Sequence, residues 1–462
     1  MKSNRTLILP CETRVREFDA KLLLACHAVE RGWRVFVGYK RSLDFHAPRI
    51  PKGIYVGKSL TYRNARFYGI VRDLGHRLVA WDEEGLVYAN PDLYRLTKVG
   101  DATLNMPELL LAWGEENAAA WSAHPGFNGS ELAITGNPRS DLLRPELRGY
   151  FTAEAEALRA EYGDFLLINT NFSRLNHFIE QQNRQQRLLR DGGTEVTTAG
   201  DPRIGLAAHK AQLFEHFQRM LPELARRFPD VPIVLRPHPS ENAALWERIA
   251  ADLDNVRVVH RGNVVAWLQA ARSTVHNGCT TAVESFLLDR PAIAYRPVVS
   301  DSFDFELPNS LSVQAFDLQS LFKAVDAAMA GTRCAFEALI AERRGYVRRH
   351  IVSVDGPTAC ERILDTLEPL AATSGPTVSL PRRAGAMTRA RARRAARLAL
   401  ELLPVSKQHP RYRSRIFPEV GAAEVKAAVG RFGALLGRFD GIRVRRVAES
   451  AFELSREEAA HR

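Results

Sequence analysis

Residues 232–297 carry the pattern from which the fold of this chain is predicted. Their sequence is PIVLRPHPSENAALWERIAADLDNVRVVHRGNVVAWLQAARSTVHNGCTTAVESFLLDRPAIAYRP. Short runs rich in Val, Ile and Leu alternate in it with longer segments of helical spacing. The pattern predicts strands at 232–239, 256–262, 274–278 and 291–297 and helices at 241–253, 264–272 and 280–289. Because strands that alternate with helices form parallel sheets, the stretch predicts a doubly wound α/β domain.

The same alternation occurs in the first part of the chain and resumes at residue 165. Further strands are predicted at 6–10, 34–38, 76–81, 131–136 and 165–171. Asp19 is expected to cap a helix that stops at Gly32. GNPRSDLLRP, residues 136–145, combines Gly, Asn and two prolines after a strand and indicates a domain boundary.

We therefore predict an α/β protein with two Rossmann-like, doubly wound domains that face a cleft. Residues 1–145 are expected to form the first domain, which would be the acceptor and catalytic domain. Residues 146–370 are expected to form the second, a nucleotide-sugar-binding domain. From residue 371 a Ser/Gly/Pro linker precedes an Arg/Ala/Leu helix, so residues 371–462 are expected to form a basic helical extension.

The composition is that of a soluble globular protein, with 462 residues, 45% of them hydrophobic and 25% charged. No apolar run reaches the roughly 18 residues that a membrane span needs. The first twenty residues become charged too soon for a signal peptide, which predicts a cytoplasmic protein. Five scattered cysteines without a CxxC pair support neither a disulfide framework nor a zinc site, and neither a metal nor a cofactor is predicted.

The positive charge is concentrated in one segment. Of the net charge of +11, seven units come from residues 370–399, which hold no acid. The arginines are Arg382, Arg383, Arg389, Arg391, Arg393, Arg394 and Arg397. We predict that this segment lies on an anionic membrane surface, with Leu398, Leu400, Leu402 and Leu403 toward the acyl boundary. A solvated basic tail is the alternative, and nucleic acid is not expected because the segment lacks interleaved aromatic residues.

Polar residues follow several predicted strands, and open parallel sheets bind ligands there. In NGCTTAVES, residues 277–285, a glycine turn and two hydroxyls stand at a predicted helix start. The first helical N–H groups lack partners and the dipole is positive there, so these groups, with Thr280 and Thr281, suit a phosphate. Glu284 lies one turn further and suits ribose hydroxyls. Plain N-capping is the alternative.

RPHPSEN, residues 236–242, is a second candidate. His238 follows an apolar strand, is held between two prolines and lies close to Arg236, so it suits a phosphate oxygen. Ser240 is expected to begin the next helix and to offer a further donor. A surface turn with a capping Ser is the alternative. Both candidates fall on neighbouring strand ends of one domain, which predicts a nucleotide site.

WDEEG, residues 81–85, places three adjacent acids after a strand. Repulsion between Asp82, Glu83 and Glu84 should raise the pKa of one of them. A carboxylate there can act as a general base on an acceptor hydroxyl or as a nucleophile at an anomeric carbon. A solvated acidic turn is the alternative. Asn169 and Asn171, after the strand at 165–171, are candidates to line a cleft, although Asn is also common in turns.

Several segments, taken in order, resemble the bacterial surface carbohydrate biosynthesis proteins. The resemblance covers roughly residues 5–370 and implies a GT-B glycosyltransferase fold. It is carried by ETRVREFDAKLLLACHAVERGWRVFVG (12–38), GNPRSDLL (136–143), FLLINTNFSRLN (165–176), RPHPSEN (236–242) and NGCTTAVESFLLDRPAIAYRP (277–297).

More distantly, the motif set is similar to that of the GT-B sialyltransferases and the capsule Kdo transferases, which use CMP-activated 2-keto sugars. Residues 83–85 match their acidic motif, two acids followed by Gly, residues 238–239 match their His-Pro motif, and residues 280–281 match their hydroxyl pair. The resemblance implies that the His and the Thr pair hold the CMP phosphate and that Glu83 or Glu84 is catalytic. Asp82 would tune the pKa of its neighbours.

The sequence thus predicts a metal-independent glycosyltransferase of surface polysaccharide assembly, peripheral at the inner face of the cytoplasmic membrane. Its expected partners are a nucleotide-sugar donor, of the CMP-Kdo or nonulosonate kind, and a glycan or lipid-linked acceptor. Arg14 and Arg16 are candidates to pair with the sugar carboxylate, because a planar guanidinium binds carboxylates in bidentate geometry. A UDP-sugar 2-epimerase, a CDP-polyol phosphotransferase and a non-catalytic assembly factor remain as alternatives.

Overall fold

The protein is described from a computed structural model, which covers residues 5–191 and 201–456. Its strands are β1 (Thr6–Cys11), β2 (Arg34–Tyr39), β3 (Ile54–Gly57), β4 (Arg77–Ala80), β5 (Leu109–Ala112), β6 (Glu131–Ile134), β7 (Leu166–Asn169), β8 (Ile233–Arg236), β9 (Val256–Val258), β10 (Ser273–His276), β11 (Ala292–Tyr295), β12 (Val313–Ala315), β13 (Ile442–Ala448) and β14 (Ala451–Arg456).

The helices up to the middle of the chain are α1 (Asp19–Glu30), α2 (Lys40–His46), α3 (Ala65–Asp73), α4 (Pro91–Lys98), α5 (Asp101–Asn105), α6 (Glu115–Ser122), α7 (Pro138–Asp141), α8 (Thr152–Tyr162), α9 (Arg184–Asp191) and α10 (Pro202–Arg227). The later helices are α11 (Ala243–Ile249), α12 (Val264–Ala270), α13 (Thr280–Leu287), α14 (Glu306–Ser310), α15 (Leu318–Met329), α16 (Cys334–His350), α17 (Ala359–Ala372), α18 (Leu380–Ala399), α19 (Pro410–Ile416) and α20 (Ala422–Leu436).

The chain divides into two compact units, each built on its own sheet. Unit 1 comprises the residues up to 86, residues 94–150 and the residues from 346 on, and unit 2 comprises residues 87–93 and 151–345. These sheets, of mainly parallel strands with intervening helices, confirm the predicted α/β class with two domains.

The sheet of unit 1 has eight strands in the order β13-β14-β2-β1-β3-β4-β5-β6. The chain leaves β1 to one side for β2 and then returns to the other side for β3, and both strands pair with β1 in parallel. This reversal is the topological switch point. Doubly wound sheets bind ligands there, beyond the carboxyl ends of the two strands that flank it. In unit 1 it lies between β1 and β3.

The sheet of unit 2 has six strands in the order β12-β11-β10-β7-β8-β9, and its strand pairs are parallel. Strands β7 to β9 run outward on one side, and β10 to β12 run outward on the other. The switch point of unit 2 therefore lies between β7 and β10. Phe217 of α10, Leu235, Trp246 and Val275 are fully buried in the core of this sheet.

The strands and helices predicted within residues 232–297 are confirmed, with ends shortened by a few residues. Two local predictions are wrong. Asp19 does not cap α1, because a turn of π-helix over Arg14–Phe18 runs directly into α1 and Phe18 stands at the N-cap. Ser240 does not begin the next helix, because Asn242 caps α11 and its side chain accepts the N–H of Ala244 at 3.2 Å.

The predicted helical extension at 371–462 is not separate from the first domain. Strand β14 pairs antiparallel with β2 and with β13, so this hairpin extends the sheet of unit 1 at its edge. The side chains of Phe452 and Leu454 are fully buried there. The boundary predicted at 370 also differs from the division near 345, since α17 packs against α1.

Candidate functional site

The switch point of unit 2 gathers most of the predicted nucleotide-binding residues. Strand β7 ends at Asn169, which lies opposite Arg236 of β8 on one side and His276 of β10 on the other. The segments that follow β8 and β10 carry His238 and the two threonines, respectively. Since these three strands are adjacent and parallel, their carboxyl ends lie side by side at one edge of the sheet.

The turn between β10 and α13 has the geometry of an anion site. Gly278 has a φ of 77°, which favours glycine, and a Cβ there would lie 3.3 Å from Cβ of Phe305. Cys279 is the N-cap, and no side-chain hydrogen bond from it caps the helix in the described structure. Thr280 and Thr281 are partly exposed at the helix start. Within this first turn the N–H of Ala282 donates to the carbonyl of Cys279 at 3.2 Å, and the Thr281 hydroxyl lies 2.6 Å from Sγ of Cys279. The helix dipole at this start favours an anion.

The imidazole of His238 is oriented by its own loop. Nδ1 accepts the backbone N–H of Ser240 at 3.1 Å, so the neutral ring carries its proton on Nε2. The side chain is half-buried. A ring fixed in this tautomer presents an N–H donor, which a phosphate oxygen can accept. Ser240 therefore contributes its backbone N–H, rather than the helix-capping donor expected from the sequence.

Arg236 has a structural role that the sequence did not indicate. Its guanidinium lies 5.1 Å from the ring centroid of Trp267, and Nη2 donates to the carbonyl oxygens of Arg261 at 2.9 Å and Gly262 at 3.1 Å. Burial lowers the pKa of Arg236 to about 9. These contacts hold the guanidinium against the segment after β9, so Arg236 is a weaker phosphate candidate than His238.

Glu241 is the residue of this site that sequence reasoning missed. Its carboxylate is fully buried and accepts the Thr170 hydroxyl at 3.0 Å, the N–H of Phe172 at 2.7 Å and the N–H of His238 at 3.3 Å. The Trp246 indole also donates to it at 3.2 Å. Burial raises the pKa of Glu241 to about 7. Its carboxylate links the loops that follow β7 and β8, and the acid in RPHPSEN was the available signal.

The other predicted residues of unit 2 lie nearby but differ in exposure. Asn169 is buried, and its Nδ2 has no hydrogen-bond partner within residues 5–191 and 201–456. Asn171 and Glu284 are half-buried, and Glu284 lies one turn inside α13. Asn277, between β10 and Gly278, is also buried, and neither of its amide atoms has a partner in the described ranges. Unsatisfied amides of this kind are uncommon in folded proteins.

The acidic segment 82–84 lies one strand away from the switch point of unit 1. It follows β4, beside the ends of β3 and β1, and the structure separates the three acids. Asp82 and Glu83 are buried, whereas the Glu84 side chain is 52% exposed. A Cβ on Gly85 would lie 3.0 Å from Nδ2 of Asn117 and 3.1 Å from the Tyr94 hydroxyl, which explains the glycine after the acids.

Asp82 is the acid whose pKa is raised. Burial is the main cause, the charge of Glu84 adds to it, and the pKa of Asp82 reaches about 6 although Lys98 opposes the change. The predicted repulsion is therefore real but secondary to burial. Oδ2 accepts the Tyr94 hydroxyl at 2.9 Å and Oδ1 accepts the N–H of Glu84 at 3.2 Å. Asp82 thus fixes the turn that carries Glu84.

Glu83 and Glu84 have different surroundings. Oε1 of Glu83 accepts the Trp81 indole N–H at 2.9 Å and lies 2.8 Å from Nζ of Lys21. Glu84 forms an ion pair with Lys98 and lies 3.9 Å from Arg16. The charge of Lys98 holds the pKa of Glu84 well below its usual value. Glu84 is therefore an accessible, ionised carboxylate, whereas Glu83 is a buried partner of Lys21.

A buried charge network beneath the acids was not predicted. Lys21 of α1 lies 2.9 Å from Glu17, and Lys58, directly after β3, lies 2.5 Å from Glu12 and 3.3 Å from Glu17. Burial would raise the pKa of Glu17, but the two lysines outweigh burial and lower it. The spacing of Glu17 and Lys21, four residues apart, was a usable signal. Lys58 was missed because strand β3 was missed.

The structure distinguishes the two predicted arginines. Arg14 forms an ion pair with Glu424 and donates to the carbonyl of Glu419 at 3.3 Å, so it ties the start of α1 to the segment around α20. Arg16 lies beside Glu84 instead. Only Arg16 therefore remains near the acids as a candidate for a substrate carboxylate.

Within the described residues, no group of three or more His, Cys, Asp or Glu side chains is arranged to hold a metal ion. In the same ranges no helix combines the length and the apolar composition that crossing a membrane requires.

No known protein family and no curated protein matches the chain. Solved structures that are similar to the chain have low sequence identity to it. The S. aureus MnaA–UDP structure has 13% sequence identity to this chain. The aligned region covers 82% of this chain and 100% of the MnaA chain, with a TM-score of 0.47. The structure of the wall teichoic acid polymerase TagF has 10% sequence identity to this chain. The aligned region covers 80% of this chain and 90% of the TagF chain, with a TM-score of 0.47.

The UDP-GlcNAc 2-epimerase of Methanocaldococcus jannaschii, solved with UDP-GlcNAc and UDP, has 14% identity. The aligned region covers 71% of this chain and 92% of the epimerase chain, with a TM-score of 0.42. These likenesses concern the fold alone.

Proposed function

We propose that the protein is a glycosyltransferase of bacterial cell-surface polysaccharide biosynthesis. In this proposal it transfers a 2-keto sugar of the Kdo or nonulosonate kind from a CMP donor to a glycan or lipid-linked acceptor, without a metal. The observation that carries the proposal is the switch point of unit 2. There the helix start at Thr280 and the Nε2–H of His238 offer donors at neighbouring strand ends. The motif resemblance to CMP-sugar transferases supports the choice of donor.

The donor nucleotide is assigned to unit 2. Its phosphate would be bound by the first N–H groups of α13 and the hydroxyls of Thr280 and Thr281, with His238 donating from Nε2. Glu284 would accept from the ribose hydroxyls, and the unsatisfied amide of Asn169 supports a polar ligand close by. As the bond between the anomeric carbon and the phosphate oxygen breaks, negative charge grows on the CMP phosphate. Fixed donors stabilise that charge without a metal.

The transfer itself is assigned to the acids of unit 1. Glu84 is proposed as the catalytic carboxylate because its side chain is exposed while Asp82 and Glu83 are buried. It would accept the proton of the acceptor hydroxyl as the new glycosidic bond forms, or it would attack the anomeric carbon directly. Glu83 and Asp82 are proposed to position Glu84, and Arg16 to pair with the sugar carboxylate.

The reaction is placed at the inner face of the cytoplasmic membrane, where a lipid-linked acceptor would be available. The Arg-rich segment of the chain is proposed as the contact with anionic lipid.

A thermal-shift comparison of CMP, CDP and UDP tests the nucleotide assignment. A ligand that binds the folded state alone raises the melting temperature. We expect CMP to give the largest rise and Thr281→Val to reduce that rise. Because the Thr281 hydroxyl contacts Sγ of Cys279, the rise is measured relative to the variant's own ligand-free melting temperature. Stabilisation by UDP but not by cytidine nucleotides would instead favour an epimerase. An equal effect of CMP on wild type and Thr281→Val would refute the phosphate assignment.

A further inference from the structure

Helix α18 is packed onto unit 1 along one face. Ala386 is fully buried, and Met387 and Ala390 pack against a core cluster that contains Phe67. The guanidinium of Arg393 lies 4.1 Å from the ring centroid of Phe67. These positions recur every three or four residues, so one stripe of the helix faces the protein. The opposite stripe is consequently held outward in a fixed orientation.

Four of the seven arginines are used to hold this helix in place. Nε of Arg382 and Nη2 of Arg389 each lie 2.5 Å from the carboxylate of Asp73. Arg393 and Arg397 lie 3.2 Å and 3.6 Å from Oδ2 of Asp44, which is buried. The two carboxylates offset at most two of these four charges, and Asp44 is also paired with Lys40, so these arginines anchor the helix while the segment keeps a net positive charge.

The remaining three arginines face solvent. Arg383, Arg391 and Arg394 are exposed, and no carboxylate within the described residues forms an ion pair with them, although the guanidinium of Arg394 also lies 5.7 Å from the ring centroid of Phe45. Arg391, Arg394 and Leu398 follow one another at intervals of three and four residues, so they share a side of the helix. The outward side therefore carries uncompensated positive charge that runs toward the end of α18.

A patch of exposed apolar side chains continues from this end of the helix. Its members and their exposed fractions are Leu398 (45%), Leu400 (42%), Leu402 (82%), Leu403 (49%) and Val405 (46%). A run of large apolar residues this exposed is unusual on a soluble protein and marks a surface that is covered by a partner. We call these five residues the leucine patch.

We infer that the outward side of α18 and the leucine patch form one membrane-binding surface. The leucine patch inserts at the boundary of the acyl chains, while Arg383, Arg391 and Arg394 lie at the level of anionic headgroups. Charge complementarity favours an anionic lipid surface as the partner, because residues 370–399 contain no Asp or Glu. The inference deepens the membrane contact of the proposed function and rests on it for the choice of an anionic inner-leaflet surface.

Co-flotation of the purified full chain with lipid vesicles tests this surface. We expect binding to vesicles rich in phosphatidylglycerol and little binding to pure phosphatidylcholine. Each basic residue near an anionic surface contributes roughly fivefold in affinity, so the double variant Arg391→Glu/Arg394→Glu should bind at least about tenfold more weakly. Leu402→Glu/Leu403→Glu should also lose binding. The matched control is Arg219→Glu/Arg226→Glu, two exposed arginines of α10, which should bind like wild type.

Equal flotation of all variants, or equal binding to both kinds of vesicle, would overturn the inference. Binding to RNA without binding to vesicles would assign the arginines to nucleic acid. A dimer that Leu402→Glu/Leu403→Glu dissociates, without vesicle binding, would assign the leucine patch to a second copy of the chain. The nucleotide-induced thermal shift should be the same in every variant, so failure of the membrane surface and failure of the nucleotide site are separate results.

Discussion

At the scale of single residues, burial gives three adjacent acids three different roles. Asp82 and Glu83 are enclosed by hydrogen bonds and by Lys21, and Glu84 alone presents its carboxylate to solvent. The sequence placed the acids after a strand but left open whether Glu83 or Glu84 reacts. The distinction depends on the positions of Lys21 in α1 and of Tyr94 and Lys98 in α4, which are separated from the acids along the chain.

The first prediction concerns Glu84. Glu84→Gln removes the charge of the accessible carboxylate, so sugar transfer should fall by about 10²–10⁴-fold, the range typical of a lost general base. Binding of CMP, measured by calorimetry, should stay unchanged. Glu146→Gln serves as the control, because Glu146 is an exposed acid paired with Arg144. If Glu84→Gln keeps full activity, the acidic turn is structural.

The second prediction concerns Glu241. Its pKa rises from 4.5 to about 7 on folding, so between these values the folded state binds more protons than the unfolded state. The contribution of Glu241 to the free energy of unfolding is therefore largest below pH 4.5 and declines as the pH rises toward 7.

Glu241→Gln removes this titration. Urea unfolding at a series of pH values should show a smaller decline between pH 4.5 and 7 for the variant than for wild type. Asp82 and Asp141, whose pKa values burial also raises, remain in both proteins and do not affect the difference. Parallel pH profiles of wild type and variant would contradict the assignment.

At the scale of elements, the buried network of Lys21 joins α1 to the ends of β1 and β4. Its Nζ donates to the carbonyl of Pro10 at 2.7 Å and contacts the carboxylates of Glu17 and Glu83. The charge of Lys21 compensates two carboxylates that have little access to water. Removing one partner of a buried ion pair leaves an uncompensated charge, which is the costly change in such networks.

The third prediction follows from this network. Lys21→Met keeps the apolar stem but removes the charge, and it should lower the free energy of unfolding by about 3–5 kcal/mol. Arg219→Ala is the comparison, because the Arg219–Glu215 pair is largely exposed and its loss should cost less than about 1 kcal/mol. Denaturant unfolding of both variants measures the difference. Equal losses would show that the network contributes no more than a surface pair.

The elements also show how far sequence patterns reach. Alternating apolar runs and helical segments predicted the whole series from β7 to β11, because each element has its own local signal. Two of the missed strands have weaker signals. Strand β3 is short and follows Pro51, and β13, IRVRRVA, carries Arg at alternate and adjacent positions. The pairing of β14 with β2 joins residues some 400 positions apart, and no local pattern encodes it.

For the candidate site, the sequence predicted which residues lie at strand ends but not which residues are buried beneath them. The strand-end rule located His238, the threonine pair and the acids, since those positions follow from the sequence order of strands. It did not find Glu241 or Lys58, because their importance comes from burial and from contacts between elements. The same rule selected Arg14 and Arg236, and it could not show that other parts of their own units hold these two guanidinium groups.

At the scale of the whole molecule, the two units carry separate parts of the proposed function. Unit 2 holds the proposed anion site at its switch point, and unit 1 holds the accessible carboxylate of Glu84 and the outward side of α18. Nucleotide binding reports on the anion site, sugar transfer on the carboxylate, and vesicle binding on the outward side of α18. A defect in one readout with the others intact would therefore identify the part that fails.

The proposed transfer is tested by measuring the release of CMP from CMP-Kdo with a membrane fraction that carries lipid-linked acceptors. Wild type should release CMP in the presence of acceptor, and incorporation of the sugar into lipid should match this release. Glu84→Gln and Thr281→Val should each reduce both quantities. No acceptor-dependent release from CMP-activated 2-keto sugars, together with conversion of a UDP-sugar in the absence of acceptor, would contradict the proposed transfer.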